Sequence, residues 1–179
     1  KEMEHLGKLV TDFMLVSKAN SGDLVLQQAP CSINDLLERI DDAHMHRAHK
    51  ENKTLSVCII KDDTDIFVDE DRIMQVLHNL IGNAFNHTNS GDHIKIYTEI
   101  NETHCIFYIQ DSGKGIQPEH LNLLFDRTFR ADPNRQRESG SNGLGLAICQ
   151  SLVHAHQGDI GVHSEGLEQG ARFWFSLPV

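Results

Sequence analysis

Positive charge is what this chain has least of. Sixteen Lys and Arg face 26 Asp and Glu over 179 residues, a formal charge of −10. A surface of that sign repels phosphate backbones, so broad nucleic-acid binding is excluded as a function, though a local basic site is not. No apolar run approaches the roughly 18 residues needed to cross a bilayer, so no membrane segment is expected here. The opening Lys1-Glu2-Met3-Glu4 also lacks the apolar stretch of a signal peptide. The four cysteines, Cys31, Cys58, Cys105 and Cys149, lie far apart with no CxxC pair. Three of them fall in apolar or helical stretches, as reduced cytosolic core thiols do, and a cytoplasmic location is expected. There is no internal repeat and no low-complexity tract. What is present, 39% hydrophobic and 23% charged residues, suffices for one core of ordinary size, with room for a small appendage.

Along the chain, Leu6, Leu9, Phe13 and Val16 form a narrow helical stripe that ends near Asn20-Ser21-Gly22. Such a stripe either pairs with another helix or lies on its own domain. After an extended piece over 24–29, Ser32-Ile33-Asn34-Asp35 reads as a capping box. It opens a helix whose buried face is Ile33, Leu36, Leu37, Ile40 and Ala43. Residues 55–60 read as a strand. A strongly periodic helix then runs from 69–71 to about His87, with Ile73, Val76, Leu77, Leu80, Ile81 and Ala84 on its core stripe. Strands follow over 94–100 and 104–111, a loop over about 128–142, a helix over 143–156, and closing strands over 160–163 and 171–177. Helices and strands mix without strict alternation. The expected class is therefore α+β: a two-layer sandwich with helices on one face of a mixed sheet.

Three constellations in this sequence can carry chemistry. Asn79, Asn83 and Asn86 or His87 recur at helical spacing and form a polar stripe about a right angle from the apolar one. Asn is a poor helix former, so three in eight residues need a reason. The stripe is either a solvated face or the wall of a pocket, where amide oxygens suit Mg²⁺ and amide NH₂ groups suit phosphate. Asp111-Ser112-Gly113-Lys114-Gly115-Ile116 ends a strand. Asp111 shares parity with Cys105, Phe107 and Ile109, so its carboxylate points inward. It either caps a tight turn or accepts from a purine amine, with the glycines letting a flat ring approach the backbone. Gly140-Ser141-Asn142-Gly143-Leu144-Gly145-Leu146 enters a helix. It is a hinge or a phosphate-binding helix start, and it fits neither a Walker A loop nor GxGxxG.

In order and spacing, Asn79-Leu-Ile-Gly-Asn83-Ala, Asp111-x-Gly-x-Gly, Phe125-Asp-Arg-Thr-Phe-Arg130 and Gly143-Leu-Gly-Leu-Ala-Ile148 resemble the N, G1, F and G2 boxes of bacterial sensor histidine kinases. The resemblance covers roughly residues 32–179. Residues 1–22 look like the second helix of that family's dimerisation hairpin, which leaves 23–179 as the catalytic ATP-binding domain. The resemblance implies the α/β sandwich shared with gyrase and chaperone ATPases, with the sheet mainly antiparallel, and ATP and Mg²⁺ as cofactors.

By the same resemblance, Asn83 would ligate Mg²⁺ and Asp111 would bind the adenine amine. Gly113, Gly115 and Ile116 would line the base pocket. Asn86, His87, Phe125, Arg127, Gly143, Leu144, Gly145 and Leu146 would complete the nucleotide site, with a lid over 128–142. Arg130 would reach the terminal phosphates, a task that suits a planar, permanently charged fork. Asn79 would be catalytic. It stands where related hydrolases carry a Glu, and an amide cannot serve as a general base, which favours phosphoryl transfer over hydrolysis.

The implied partners are ATP and ADP, a phosphoacceptor histidine hairpin, a response-regulator receiver domain and, in the intact protein, a second copy in a homodimer. That intact protein has room for a membrane anchor elsewhere. Three residues depart from the family pattern. Asn86 replaces a frequent Lys or Arg, and Thr128 and Ser141 deviate in the F and G2 boxes. They motivate an alternative, a regulatory nucleotide-binding module with little transfer activity. No Ser/Ala-His-Glu-Leu-Arg-x-Pro acceptor segment occurs, and His5 does not match one. His44, His46 and His49 read as a solvated helix face without the i, i+4 spacing of a zinc site. His154 and His156 read as surface residues.

Overall fold

A computed structural model describes residues 2–61, 63–126 and 144–179 of the chain. Its central element is α3 (Glu70–His87). Asp69 caps it, accepting from the Arg72 N–H at 3.2 Å, while Glu70 and Asp71 favour the positive end of the helix dipole. Ile73, Val76, Leu77, Leu80, Ile81 and Ala84 are all at most 1% exposed, as the periodicity predicts. Each such Leu or Ile contributes about 1.5–3 kcal/mol by leaving water.

The chain order is α1 (Glu2–Ser21), β1 (Ala29–Ser32), α2 (Ile33–Lys50), β2 (Thr54–Val57), β3 (Asp65–Val68), α3, β4 (His93–Ile100) and β5 (His104–Asp111). A 3₁₀ turn (Pro118–Leu123), α4 (Gly145–Ala155), β6 (Ile160–His163) and β7 (Ala171–Pro178) complete it. Among the described residues the main sheet runs β2-β4-β5-β7-β6, with only the β2–β4 pair parallel. Its inner face carries Ile94, Ile96, Cys105, Phe107, Ile109, Phe173, Phe175 and Leu177, all packed with the buried faces of the helices into one core. Phe107 and Phe175, paired in register, stack at 4.8 Å. The helices-on-one-face sandwich with a mixed, mainly antiparallel sheet is thus the architecture found.

Several local features differ from what the sequence suggests. Asp65–Val68 forms β3, which pairs antiparallel with β1 in a small second sheet. Four residues between an acidic loop and a helix cap are too few to show alternation on their own. The strand expected over 55–60 is Thr54–Val57. Ser32 does cap α2, accepting from the Asp35 N–H at 3.0 Å. The first helix ends where expected: Gly22 takes φ +78°, and the Asp23 N–H returns to the Lys18 carbonyl at 2.9 Å. Its stripe divides. Leu15 and Val16 are buried in the common core, whereas Phe13 is 60% exposed together with Val10 and Met14. The side chains of Leu6 and Leu9 lie outside the described residues.

Two histidine readings are corrected. His44 does not sit on a solvated face: its Nε2 lies 2.9 Å from Nδ1 of His78 on α3, and its ring stacks on Phe85. His156 is 3% exposed. It accepts the Asp69 N–H at Nε2 (3.1 Å) and faces the Leu152 carbonyl with Nδ1 (2.8 Å), tying the end of α4 to the cap of α3. His156 is buried and His44 half-buried because each meets a neighbouring element, which spacing within one helix cannot show.

Candidate active site

Asn79 and Asn83 are half-buried on α3, and Asn86 and His87 are exposed at its C-terminal end. The apolar stripe drives the opposite side of the helix into the core, and the amides are left along its rim. Asn79 lies within hydrogen-bonding reach of the Cys149 thiol on α4. Its carboxamide carbon is 3.9 Å from where a Cβ on Gly145 would stand. Asn79 thus abuts the first residue of α4. Among the described residues no side chain caps that helix start, whose N–H groups and dipole favour an anion.

Asp111 stands at the tip of β5, 6% exposed, directly after the buried Cys105, Phe107 and Ile109 of the same parity. Its Oδ1 accepts from the Gly113 N–H at 2.9 Å. Burial pushes the Asp111 carboxyl above the usual carboxylate range. The N–H groups of Gly113 and Ala171 pull it back, and the charge of Asp92 adds to the rise. The turn bond to Gly113 is therefore real. A carboxylate offers about four acceptor positions, however, so two backbone donors leave capacity for an exocyclic amine.

The two glycines of this loop have a packing role. A Cβ on Gly113 would strike the His87 carbonyl, and the Lys114 N–H donates to that same carbonyl at 3.1 Å. Gly115 has φ +65°, and a Cβ there would strike the Gly166 carbonyl. The loop is clipped to the end of α3 on one side and to the 164–170 turn on the other. Ser164 Oγ accepts from the Ile116 N–H at 3.1 Å and donates to the Gly170 carbonyl at 2.6 Å, while the Gly170 N–H reaches the Gly113 carbonyl at 3.0 Å.

The loop after Asp111 thus meets α3 at His87 through Gly113 and Lys114, and Gly145 meets it at Asn79. Eight residues at about 1.5 Å each separate these ends by about 12 Å, a span suited to a purine nucleotide lying from base to terminal phosphate. Ile116, Phe125, Leu144 and Leu146 pack partly buried against the core beside this span. Arg127, Arg130 and Gly143, and with them the lid over 128–142, lie outside the described residues.

Sequence reasoning missed three supporting residues, Ser164, Gly170 and Arg47. Arg47 donates to Asn86 Oδ1 at 3.2 Å. Ser164 and Gly170 carried no spacing signal, and Arg47 was one more polar residue on a helix remote in sequence. A separate hollow at the N-terminal end of α3 is lined by Gln27, Pro30, Cys31, Asp69, Glu70 and Asp71, and its three carboxylates suit no phosphate.

Among the described residues no cluster of three His, Cys, Asp or Glu side chains could hold a metal. Asn83 presents a hard amide oxygen on the half-buried rim, one helical turn from Asn79. One neutral oxygen fits a Mg²⁺ ion whose remaining ligands are phosphate oxygens and water, a habit of that ion.

Known proteins resemble this chain in sequence and in fold. Residues 68–179 match the family model described as histidine kinase-, DNA gyrase B- and HSP90-like ATPase. The chain is 37% identical over 179 residues to the sensor protein SrrB of Staphylococcus aureus (strain MRSA252), covering 99% of this chain and 30% of that protein. It therefore spans about a third of the length of the curated relatives it matches. Among solved structures, full-length ShkA in complex with AMPPNP superposes with a TM-score of 0.78 at 28% identity, over 97% of this chain and 36% of ShkA. The Acinetobacter baumannii histidine kinase AdeS gives a TM-score of 0.75 at 25% identity, over 98% and 79%. The chain belongs to the family of histidine kinase-, DNA gyrase B- and HSP90-like ATPases, as the catalytic ATPase domain of a sensor histidine kinase.

Proposed function

We propose that this chain binds Mg-ATP along α3 and passes its γ-phosphoryl group to a histidine on a helical hairpin outside residues 1–179, for relay to a response-regulator aspartate. The observation that carries this reading is that α3 is met at one end by the loop of the buried Asp111 and at the other by the start of α4, which no described side chain caps. The AMPPNP bound in ShkA supports the choice of nucleotide.

Asp111 accepts from the adenine amine, and the Gly113–Ile116 backbone forms the wall beside the base. Asn83 holds Mg²⁺, which neutralises phosphate charge when bound. The α4 N–H groups and the carboxamide of Asn79 orient the terminal phosphates, with Arg130 supplying positive charge there. No side chain at position 79 takes a proton. A neutral imidazole needs no base to attack phosphorus, so positioning and charge neutralisation suffice for a histidine acceptor. Two chains brought together by the first helix would place acceptor and nucleotide on one dimer.

The test is to incubate this chain with labelled ATP, Mg²⁺ and a hairpin fragment bearing the acceptor histidine. Acid-labile phosphate on the hairpin is the expected outcome. ATP binding without transfer to any hairpin would favour a regulatory nucleotide module instead, the reading to which the uncharged Asn86 points. Steady turnover without an acceptor would revive hydrolysis.

A further inference from the structure

The Asp111 carboxylate takes one of its two backbone donors from Ala171, its register partner on β7. That N–H belongs to the Gly170–Ala171 peptide. The other pole of the same peptide, the Gly170 carbonyl, accepts from Ser164 Oγ at 2.6 Å. A trans peptide points its C=O and its N–H in opposite directions. Holding the carbonyl on Ser164 therefore aims the N–H at Asp111. Gly170 permits the close approach: its φ is +67°, and a Cβ there would strike the Asp111 carbonyl.

Ser164, directly after β6, is buried and fully engaged. A hydroxyl has one proton to give. The Gly170 carbonyl at 2.6 Å takes it in preference to the Gly166 carbonyl at 3.3 Å. The lone pairs of Oγ accept from the Ile116 N–H at 3.1 Å and the Gly166 N–H at 3.4 Å. A hydroxyl that accepts while it donates is polarised, and it polarises the peptide in turn. One side chain thus reaches the loop beside the base and, through a single peptide, the carboxylate that faces the base. Of the charges around that carboxylate, Asp92 ahead of β4 acts against its ionisation. Its register partners Ile94 and Ala171 are neutral, and α3 meets the loop through the His87 carbonyl.

We propose that Ser164 is a positioning residue of the nucleotide site: its hydroxyl holds the Gly170–Ala171 peptide with its N–H on Asp111 and keeps the Gly113–Ile116 wall against the base. The proposal rests on the nucleotide-binding reading above. It adds that the ionised carboxylate, the form an adenine amine needs, is sustained by a residue one peptide behind it.

Calorimetric titration with Mg-ADP over a pH series, on this chain and on Ser164→Ala, tests it. The ligand's own titration is common to both chains and cancels in the ratio of their affinities. Without the hydroxyl the peptide is free to turn from Asp111, so the carboxyl protonates at higher pH than in the parent. The variant is expected to approach the parent's affinity in alkaline solution and to fall behind as pH drops. The gap at the acid end should be about tenfold, the scale of one hydrogen bond to a charged group. In Asp111→Asn, which has no carboxyl to titrate there, adding Ser164→Ala should open no such gap. Should Ser164→Ala fail to fold, Ser164→Cys, a weaker donor of similar size, carries the same test with a smaller gap. An equal loss at every pH would make Ser164 a strut of the 164–170 turn and overturn the proposal. So would affinities that coincide at every pH, or a gap that persists in Asp111→Asn. An unaltered chain that binds no ADP at any pH would overturn the nucleotide reading itself, and this inference with it.

Discussion

In the proposed function Asp111 serves two purposes, turn former and acceptor for the base. Its Oδ1 closes a tight turn through the Gly113 N–H, and burial raises its carboxyl above the ordinary range. An incoming amine donor favours the ionised form, so it must restore charge that burial disfavours. Adenine-nucleotide affinity should therefore fall as acidification passes through the raised Asp111 range and level off above it, as calorimetry across that range would show. Asp111→Asn should weaken adenine-nucleotide binding by about 1–3 kcal/mol at neutral pH, the scale of a disturbed buried charged hydrogen bond. Unchanged affinity would leave Asp111 as a turn former alone. Its inward direction was legible in the alternation of Cys105, Phe107 and Ile109. The collision that makes Gly113 necessary was not, since the carbonyl it avoids belongs to His87, 26 positions away in sequence.

At the scale of elements, α3 is positioned by its start as much as by its stripe. Asp69 accepts from the Arg72 N–H with Oδ1 and from the Gln27 N–H at 2.9 Å with Oδ2, while its own N–H goes to His156. One residue thus joins the segment before β1, the cap of α3 and the end of α4. Asp69→Ala should cost about 1–2 kcal/mol for the lost cap, with a further loss from the partly buried Gln27 N–H left unpaired. Urea denaturation would measure it, and Asp69→Asn, which keeps a capping oxygen, should lose less. The cap was readable from Asp69 just before a periodic run. Its ties to Gln27 and His156 were not, because they join segments 42 and 87 residues apart.

For the whole molecule, three imidazoles respond to acid in the same direction. Burial, with the neighbouring His78 and Arg47, holds His44 down to about 4 from 6.5. Burial likewise lowers His78, with Arg39 adding to the effect, and lowers His156 against the opposing pull of the Leu152 carbonyl and Asp69. The unfolded chain takes up these protons from about pH 6.5 downward, and the folded chain resists. Stability from these groups is therefore full above pH 6.5 and declines as pH falls toward 4. Thermal midpoints followed from pH 7 to 4 should drop over that interval, and His44→Gln should flatten the drop. A slope unchanged by His44→Gln would show that the His44–His78 pair does not carry it.

The four ordered boxes carried the resemblance to the family, while local periodicity and turn chemistry alone determined the main helices, four of the five strands of the main sheet almost to the residue, and the inward aim of Asp111. Those features depend on neighbours within a few positions, where side-chain direction follows from backbone period. Only the tertiary structure decided the β1–β3 pair, the pairing of His44 with His78, the burial of His156, the division of the first helix's stripe and the reach of Arg47 to Asn86. Each of these is a meeting of segments far apart in the chain, and packing, rather than local propensity, sets which surfaces meet.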